Sequence, residues 1–426
     1  MKQELLAIAG QLEVGRVAHE NGRLSFEYAR QWQADRSSFP LSVSMPLLQD
    51  RHGHAPVEAF LRGLLPDNPD ILGKWAAGFH VSPRNPFALL AHVGEDCAGA
   101  IQFVRPERVD RLLTESEKVE IQWLTEEEVA ERLKILRQDH AAWRIARDTG
   151  QFSLAGAQPK TALFLRDGHW GVPSGRTPTT HILKPPLGEW EGHAENEHFC
   201  LELAAKLGLA AARSDVSRFA EEVAIVIERY DRASAGGRIL RLHQEDLCQA
   251  LSILPGKKYE SEGGPGVATI ADLLSQNSAR PEDDVYAFLD AVAFNWFIGG
   301  TDAHAKNYSI LIGSRGAVRF APLYDVASIL PYPGIYIPKL KMAMKIGGQY
   351  HLRIIGLRQW RKLAAEVRVN EDRLIERLRT MAAELPDQIS AVRRQIVGRE
   401  LKHPILKRLA DVLTRRVRDC AQILGK

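Results

Sequence analysis

The sequence predicts an α+β fold in two lobes, strand-rich in the first half of the chain and helical in the second. Three observations predict it. Short alternating segments separated by turn signals run from the N-terminus to about residue 232. Beyond Leu242 the pattern is helical, and the run Val285 to Ile298, rich in Phe, Trp, Ala and Val, reads as a largely buried helix. Gly299 and Gly300 then end that helix and release a polar string, Thr301-Asp302-Ala303-His304-Ala305-Lys306-Asn307, onto a loop.

Composition bounds the function. At 426 residues the chain has room for two or three domains or subdomains and a sizeable core. Its 45% apolar and 26% charged residues are those of an ordinary soluble protein, and no apolar run reaches the length of a membrane span. The N-terminus, Met1-Lys2-Gln3-Glu4, opens without the apolar core of a secretion signal. Cys97, Cys200, Cys248 and Cys420 are scattered without a C-x-x-C pair, which predicts a reducing, cytoplasmic setting and no disulfide framework or zinc ribbon. His193-Ala-Glu-Asn-Glu-His198 has neither H-E-x-x-H nor H-x-x-E-H spacing, so no zinc is expected there. The net charge of +3 hides an uneven distribution, because residues 351–426 hold 18 Lys+Arg against 9 Asp+Glu. A basic helical tail can face nucleic acid, although a solvated face is the commoner use of such charge.

Taken in order, Gly10 to Ala18 and Leu24 to Tyr28 read as strands about the turn Asn21-Gly22, a hairpin signal. Pro40 to Leu47 reads as a further extended piece bounded by prolines, and Pro56 to Leu65 and Asn85 to Val93 as short helices. Residues 1–105 are assigned as an α+β module for packing or partner contact. Residues 106–150 are expected to connect, with a helix opened by the capping box of Thr125 and Glu128 and running to about Arg137. Residues 151–232 form the strand-rich lobe, and 233–426 the helical one.

Within that frame a few segments carry chemistry. The small-residue loop Ser153-Leu-Ala-Gly-Ala-Gln-Pro-Lys160 runs into an apolar strand, the turn Asp167-Gly168 and a further strand. Small residues let backbone amides approach phosphate and Lys160 adds a charge, but the loop is neither a Walker A sequence nor G-x-G-x-x-G, and a plain hairpin is the simpler reading. In Thr179-Thr-His-Ile-Leu-Lys184 a lysine lies in an apolar strand, where its charge needs a partner or neutralisation. The following helix, Asn196 to Leu207, supplies the expected partner, Glu197. Val223 to Glu228 reads as a buried strand ending in Glu228-Arg-Tyr-Asp-Arg232, a candidate hinge whose backbone would face an adenine. Asp302 and Asn307 have the D-x-x-x-x-N spacing of a protein-kinase catalytic loop, where Asp orients the acceptor hydroxyl and Asn holds magnesium. A hairpin, Tyr308 to Ile312 and Ala317 to Phe320, then leads to Tyr324-Asp325 and a second candidate magnesium ligand. Alone, Asp302 reads equally as a loop cap and Asn307 as the start of a strand.

In this order the segments resemble the HipA-type serine/threonine kinases of bacterial toxin–antitoxin systems. The likeness is carried by Ser153 to Thr161, Pro178 to Lys184, Glu228 to Arg232, Gln244 to Gln249, Lys258 to Gly266, Gly300 to Asn307 and Tyr324-Asp325, and Pro40 to Pro46 and Phe87 to Gly99 extend it over the N-terminal module. The resemblance implies a two-lobed protein-kinase-like fold with an all-helical C-lobe, and ATP and Mg2+ as cofactors. It implies Asp302 as catalytic base and Asn307 and Asp325 as metal ligands. ATP would be held by Ala155, Gly156, Ala157, Gln158, Pro159, Lys160 and Lys184, by Glu228, Arg229 and Tyr230 at the adenine, and by His304, Ala305, Lys306, Asn307, Tyr324 and Asp325. Ser153 matches the family's autophosphorylated serine, whose modification displaces the phosphate loop. Pro159 departs from the pattern, which carries glutamate there. The implied substrate is an aminoacyl-tRNA synthetase, glutamyl-tRNA synthetase foremost. The implied partners are a HipB-like helix-turn-helix antitoxin and, through it, operator DNA, with no membrane. Arg393, Arg394, Arg415 and Arg416 of the basic tail are expected to touch that DNA. Two other readings stay open: a lipid or small-molecule kinase of related fold, and a non-catalytic DNA-bound co-repressor. The second predicts a lost metal ligand or phosphate lysine, yet Asp302, Asn307, Asp325 and Lys184 are all present.

Overall fold

The structure, a computed structural model, describes residues 2–114, 121–139, 152–174, 177–186, 188, 190–398 and 401–425. Much of the expected connector, and the boundary placed at its end, lies outside these residues. The chain divides into two compact units. One comprises Met1–Pro185, Ser217–Gly256 and Ile310–Val318, and the other Pro186–Val216, Lys257–Ser309 and Arg319–Lys426.

The first unit holds two large sheets, besides the two-stranded pair Arg232–Ala235 and Arg238–Arg241. The N-terminal one has five strands in the order Arg51–His52, Arg23–Tyr28, Leu12–Glu20, Gln3–Ala9, Ile101–Val104. Its hairpin turns at Asn21 and Gly22, both with positive φ, as a two-residue loop requires. Helices His54–Gly63 and Pro86–Val93 form where expected; Asn85 caps the second, and Val57, Phe60, Phe87 and Leu90 join Leu5 and Phe26 in one core. Pro40 to Leu47 is not extended. Ser42 and Met45 pair across a tight turn, and the Tyr28 hydroxyl clamps it by accepting from Leu41 N at 2.7 Å and donating to Met45 O at 2.5 Å. Proline boundaries could not reveal that distant clamp.

The second sheet has six strands in the order Ser214–Phe219, Glu222–Glu228, His181–Lys184, Thr161–Arg166, His169–Pro173, Ile121–Leu124. Its last strand comes from within the expected connector. The capping box is formed in both halves and opens helix Glu126–Gln138, which buries Val129 and Leu133 against Leu163 and Leu183 of the sheet.

A buried ionic cluster ties the segments of this unit together. Asp96 receives Arg232 at 2.9 Å, Arg241 at 3.1 Å and the Thr179 hydroxyl at 2.7 Å, while Asp231 receives Arg229 at 2.9 Å and Gly99 N at 2.7 Å. Burial pushes the Asp96 carboxyl up, but Arg232, Arg229 and Arg241 outweigh it and hold it well below the usual carboxylate range. Nearby, His243 Nε2 bonds Leu41 O at 3.0 Å and the buried Glu245 accepts from Val43 N at 2.8 Å.

The second unit is mainly helical, with helices His193–Lys206, Val267–Asn277, Pro281–Ile298, Leu357–Glu366, Glu371–Gly398 and Pro404–Leu424, plus the hairpin Lys341–Ile346 and Gln349–His351. Pro281–Ile298 is its central helix. Pro281 opens it, Glu282, Asp283 and Asp284 complement its N-terminal dipole, and nearly every residue from Asp284 to Ile298 is buried. The basic tail corrects one expectation: Arg416 is buried, its guanidinium 5.3 Å from the centre of the Trp296 ring. It packs the core and does not face DNA, whereas Arg394 and Arg415 are exposed or partly so and Arg393 is half-buried. No helix among the described residues is long and apolar enough to cross a membrane.

Candidate active site

In the second unit the loop that carries Asp302 is shaped by its two glycines. Gly299 takes the left-handed conformation, φ 67°, that ends the central helix. A Cβ on Gly300 would lie 2.2 Å from Asn295 Oδ1, so only glycine fits. The chain then folds back on itself. The backbone oxygen of Asp302 accepts from His304 N at 2.8 Å and from Asn307 Nδ2 at 3.1 Å. The four-residue spacing is what lets Asn307 reach back. It also leaves the Asn307 amide oxygen as its metal-capable atom, and the Asp302 side chain exposed.

Asp325 is positioned from both sides. Leu323 pairs with the backbone of Ala210 and Ala212 at 2.8 Å each. The Tyr324 hydroxyl donates to Lys306 O at 2.7 Å and meets Ser309 Oγ at 2.6 Å, joining this segment to the catalytic loop. Beyond it, Ser328 exchanges two hydrogen bonds with the buried Asn196 and donates to Ile298 O at 2.5 Å. Between these anchors Asp325 adopts φ 57°, a costly conformation for a residue with a side chain and a recurrent feature of functional sites. His304 feels the charge of both carboxylates. Burial and the charge of Lys258 push it below its ordinary value, against the pull of Asp302 and Asp325. Its Nδ1 is buried with no hydrogen-bond partner among the described residues.

In the first unit the phosphate loop is compact. Lys160 is buried and donates to Ala155 O at 2.6 Å, and Gly156, φ 102°, has no room for a Cβ beside the Lys160 ammonium. Gly156 O accepts from Asp67 N at 3.0 Å. Ser153 is 0% exposed, its hydroxyl donating to Leu64 O at 2.7 Å and its N–H to Asp96 O at 3.0 Å. Ala157 is exposed, Pro159 is buried, and Gln158 Nε2 is a buried donor without a partner among the described residues. Lys184 is buried in its strand, paired in register with Ile225. At the expected hinge Glu228 is exposed and the Tyr230 hydroxyl bonds Gln244 Oε1. Arg229 turns its guanidinium into the ionic cluster, and its N–H is spent on Thr180 O at 2.9 Å. Glu197 is fully buried on helix His193–Lys206 of the second unit.

The donor set fits the cofactors. An amide oxygen and a carboxylate suit a hard cation such as Mg2+, which takes few protein ligands and completes its shell with water and substrate phosphates. Among the described residues no group of three or more His, Cys, Asp or Glu is gathered for a softer metal. The orphaned Gln158 donor, small residues and buried lysine of the phosphate loop suit an anionic ligand.

Family models match two stretches: the HipA N-terminal domain over residues 5–104 and the HipA-like C-terminal domain over 152–389. The chain belongs to the HipA family. It is 40% identical to Y4mE of Sinorhizobium fredii, provisionally named a kinase, over 82% of each chain. It is 32% identical to the serine/threonine-protein kinase toxin HipA of Shewanella oneidensis, over 90% of this chain and 88% of that one. Its structure superposes with TM-score 0.83 and 27% identity on one chain of the solved complex of Shewanella oneidensis HipA, HipB and operator DNA, covering 99% of this chain and 98% of that one. This likeness to HipA is in keeping with the mixed helix-and-sheet fold and the kinase-like motifs. Sequence reading gave no role to Tyr259, whose hydroxyl reaches Asp302; its signal was there, in the glycine-rich segment that follows it.

Proposed function

We propose that the chain is an ATP- and Mg2+-dependent serine/threonine protein kinase and the toxin of a toxin–antitoxin pair. Its acceptor on this reading is a serine of an aminoacyl-tRNA synthetase, glutamyl-tRNA synthetase being the expected target. The observation that carries the reading is the turn in which Asn307 folds onto the backbone of Asp302 while Tyr324 ties Asp325 to the same loop. Asp302, exposed, receives and orients the acceptor hydroxyl. Asn307 and Asp325 hold the metal, which when bound neutralises charge on the transferred phosphoryl group. In the first unit Lys160, Lys184 and the amides of Ala155 to Gln158 are the proposed phosphate ligands, with Glu228 and Tyr230 at the adenine; Arg229, spent on Asp231 and Thr180, is not among them. In the second unit His304 to Lys306 are the proposed nucleotide contacts.

Ser153 is the proposed site of self-regulation. Its hydroxyl is buried against the carbonyl of Leu64, where a phosphate dianion has no favourable place. Modification would drive the loop out. The likeness to HipA in its assembly with HipB and operator DNA supports a HipB-like antitoxin and a DNA-bound state. The exposed Arg394 and Arg415 are the proposed DNA contacts, from their charge and exposure alone.

The test is incubation of the purified chain with γ-labelled ATP and Mg2+, with and without a bacterial lysate, followed by phosphosite mapping. The reading expects label on Ser153 and on one synthetase-sized protein. No label on any protein while ATP still binds would contradict it and favour the co-repressor.

A further inference from the structure

We infer that Tyr259 is a positioning residue for Asp302, holding one carboxylate oxygen so that the other meets the acceptor hydroxyl. The inference rests on the kinase reading above. The Tyr259 hydroxyl donates to Asp302 Oδ1 at 2.5 Å. A loop carboxylate exposed to water would otherwise sample several rotamers, and an oriented base needs a third group to fix it.

Tyr259 is itself held firmly. Its ring stands edge-on to the buried His304, with centroids 4.8 Å apart and planes at 85°. Its carbonyl accepts from Glu262 N at 3.0 Å and Gly264 N at 2.9 Å, while Ala305 N donates to the preceding carbonyl of Lys258 at 3.3 Å. The glycines of the segment make this packing possible. A Cβ on Gly264 would lie 2.1 Å from Lys257 O, and one on Gly266 would lie 2.8 Å from the Glu260 carboxyl carbon. Glu260 is fixed in turn by Lys345, whose N–H donates to it at 2.6 Å. Residues 257–266 thus form a shelf under the catalytic loop with the phenol as its contact point. Tyr259 is half-buried, so water could satisfy its hydroxyl; the bond to Asp302 is not forced by burial.

Tyr259→Phe keeps the ring against His304 and removes only the hydroxyl. In the full chain, with γ-labelled ATP and the mapped acceptor, kcat is expected to fall about tenfold or more while KM for ATP and the thermal midpoint stay unchanged. Tyr259→Leu, which also loses the ring packing, is expected to lower the thermal midpoint as well. A Tyr259→Phe kcat within about twofold of wild type overturns the inference. So does a rise in KM with a lowered midpoint, which marks a structural role, or phosphate mapped on Tyr259, which makes it an acceptor. A wild-type chain that transfers nothing removes the kinase reading and the inference with it, a result distinct from a silent variant beside an active wild type.

Discussion

The two acidic centres of this chain are built in opposite ways. Asp96 and Asp231 of the first unit are buried under Arg229, Arg232 and Arg241, and their charge is taken up by those guanidinium groups. Asp302 of the second unit is exposed and keeps one tyrosine on one oxygen, and Asp325 stands on a strained backbone between two well-anchored segments. A carboxylate that holds structure is neutralised by cations brought from far along the chain. On the proposed reading, one that handles a proton or a metal is instead placed by its own loop, as Asp302 and Asp325 are.

The contrast predicts opposite phenotypes, and the largest lies at the open centre. Asp325→Ala should reduce phosphoryl transfer by about a thousandfold or more with little change in thermal midpoint, as read from label transfer and a melting curve. At the closed centre, Asp96→Ala removes one of the two carboxylates shared by Arg229, Arg232 and Arg241, leaving Asp231 with Arg229 and Arg232, and should cost about 3–5 kcal/mol in urea unfolding. A cost below about 1 kcal/mol would break the comparison.

A smaller effect is expected from pH at the seam of His243 and Glu245. Burial pushes Glu245 up to about 8 from 4.5, so the folded state holds its proton more tightly and stability is lost as pH rises through that interval. Burial pushes His243 down to about 4 from 6.5, so its contribution is present above 6.5 and lost as pH falls. The two slopes oppose each other between 4.5 and 6.5, so the net expectation is a thermal midpoint that declines from pH 6.5 towards 8. Glu245→Gln should flatten that decline; an unchanged slope would show the seam is not its source. The smallest effect concerns the tail. Replacing Arg394 and Arg415 by Ala should weaken operator binding by the antitoxin complex and reduce its salt slope by about one for each phosphate no longer neutralised, whereas Arg416→Ala should lower stability instead.

The same contrast explains what the sequence made legible. The Asp302 loop was readable because helix end, glycines, Asp302 and Asn307 fall within nine consecutive residues, Gly299 to Asn307, and the turn that unites them is local. The capping box, the Asn21-Gly22 hairpin and the central helix were readable for the same reason. The ionic cluster was not, since Asp96, Thr179, Arg229 and Arg241 meet only through tertiary folding, and Arg229 in sequence looks like a hinge residue. Nor was the clamp of Tyr28 on residues 41–45, or the inward turn of Arg416, which follows the exposed Arg415 directly in the chain. Tyr259 fell between these cases: its motif was visible, but its partner, 43 residues away, was not.

The most direct test of the account is to measure transfer from γ-labelled ATP and thermal melting for Asp302→Ala beside wild type. The account predicts transfer abolished and the melting curve retained. Wild-type transfer by Asp302→Ala, or a variant that loses activity only because it unfolds, would contradict the assignment of this open carboxylate as the catalytic one.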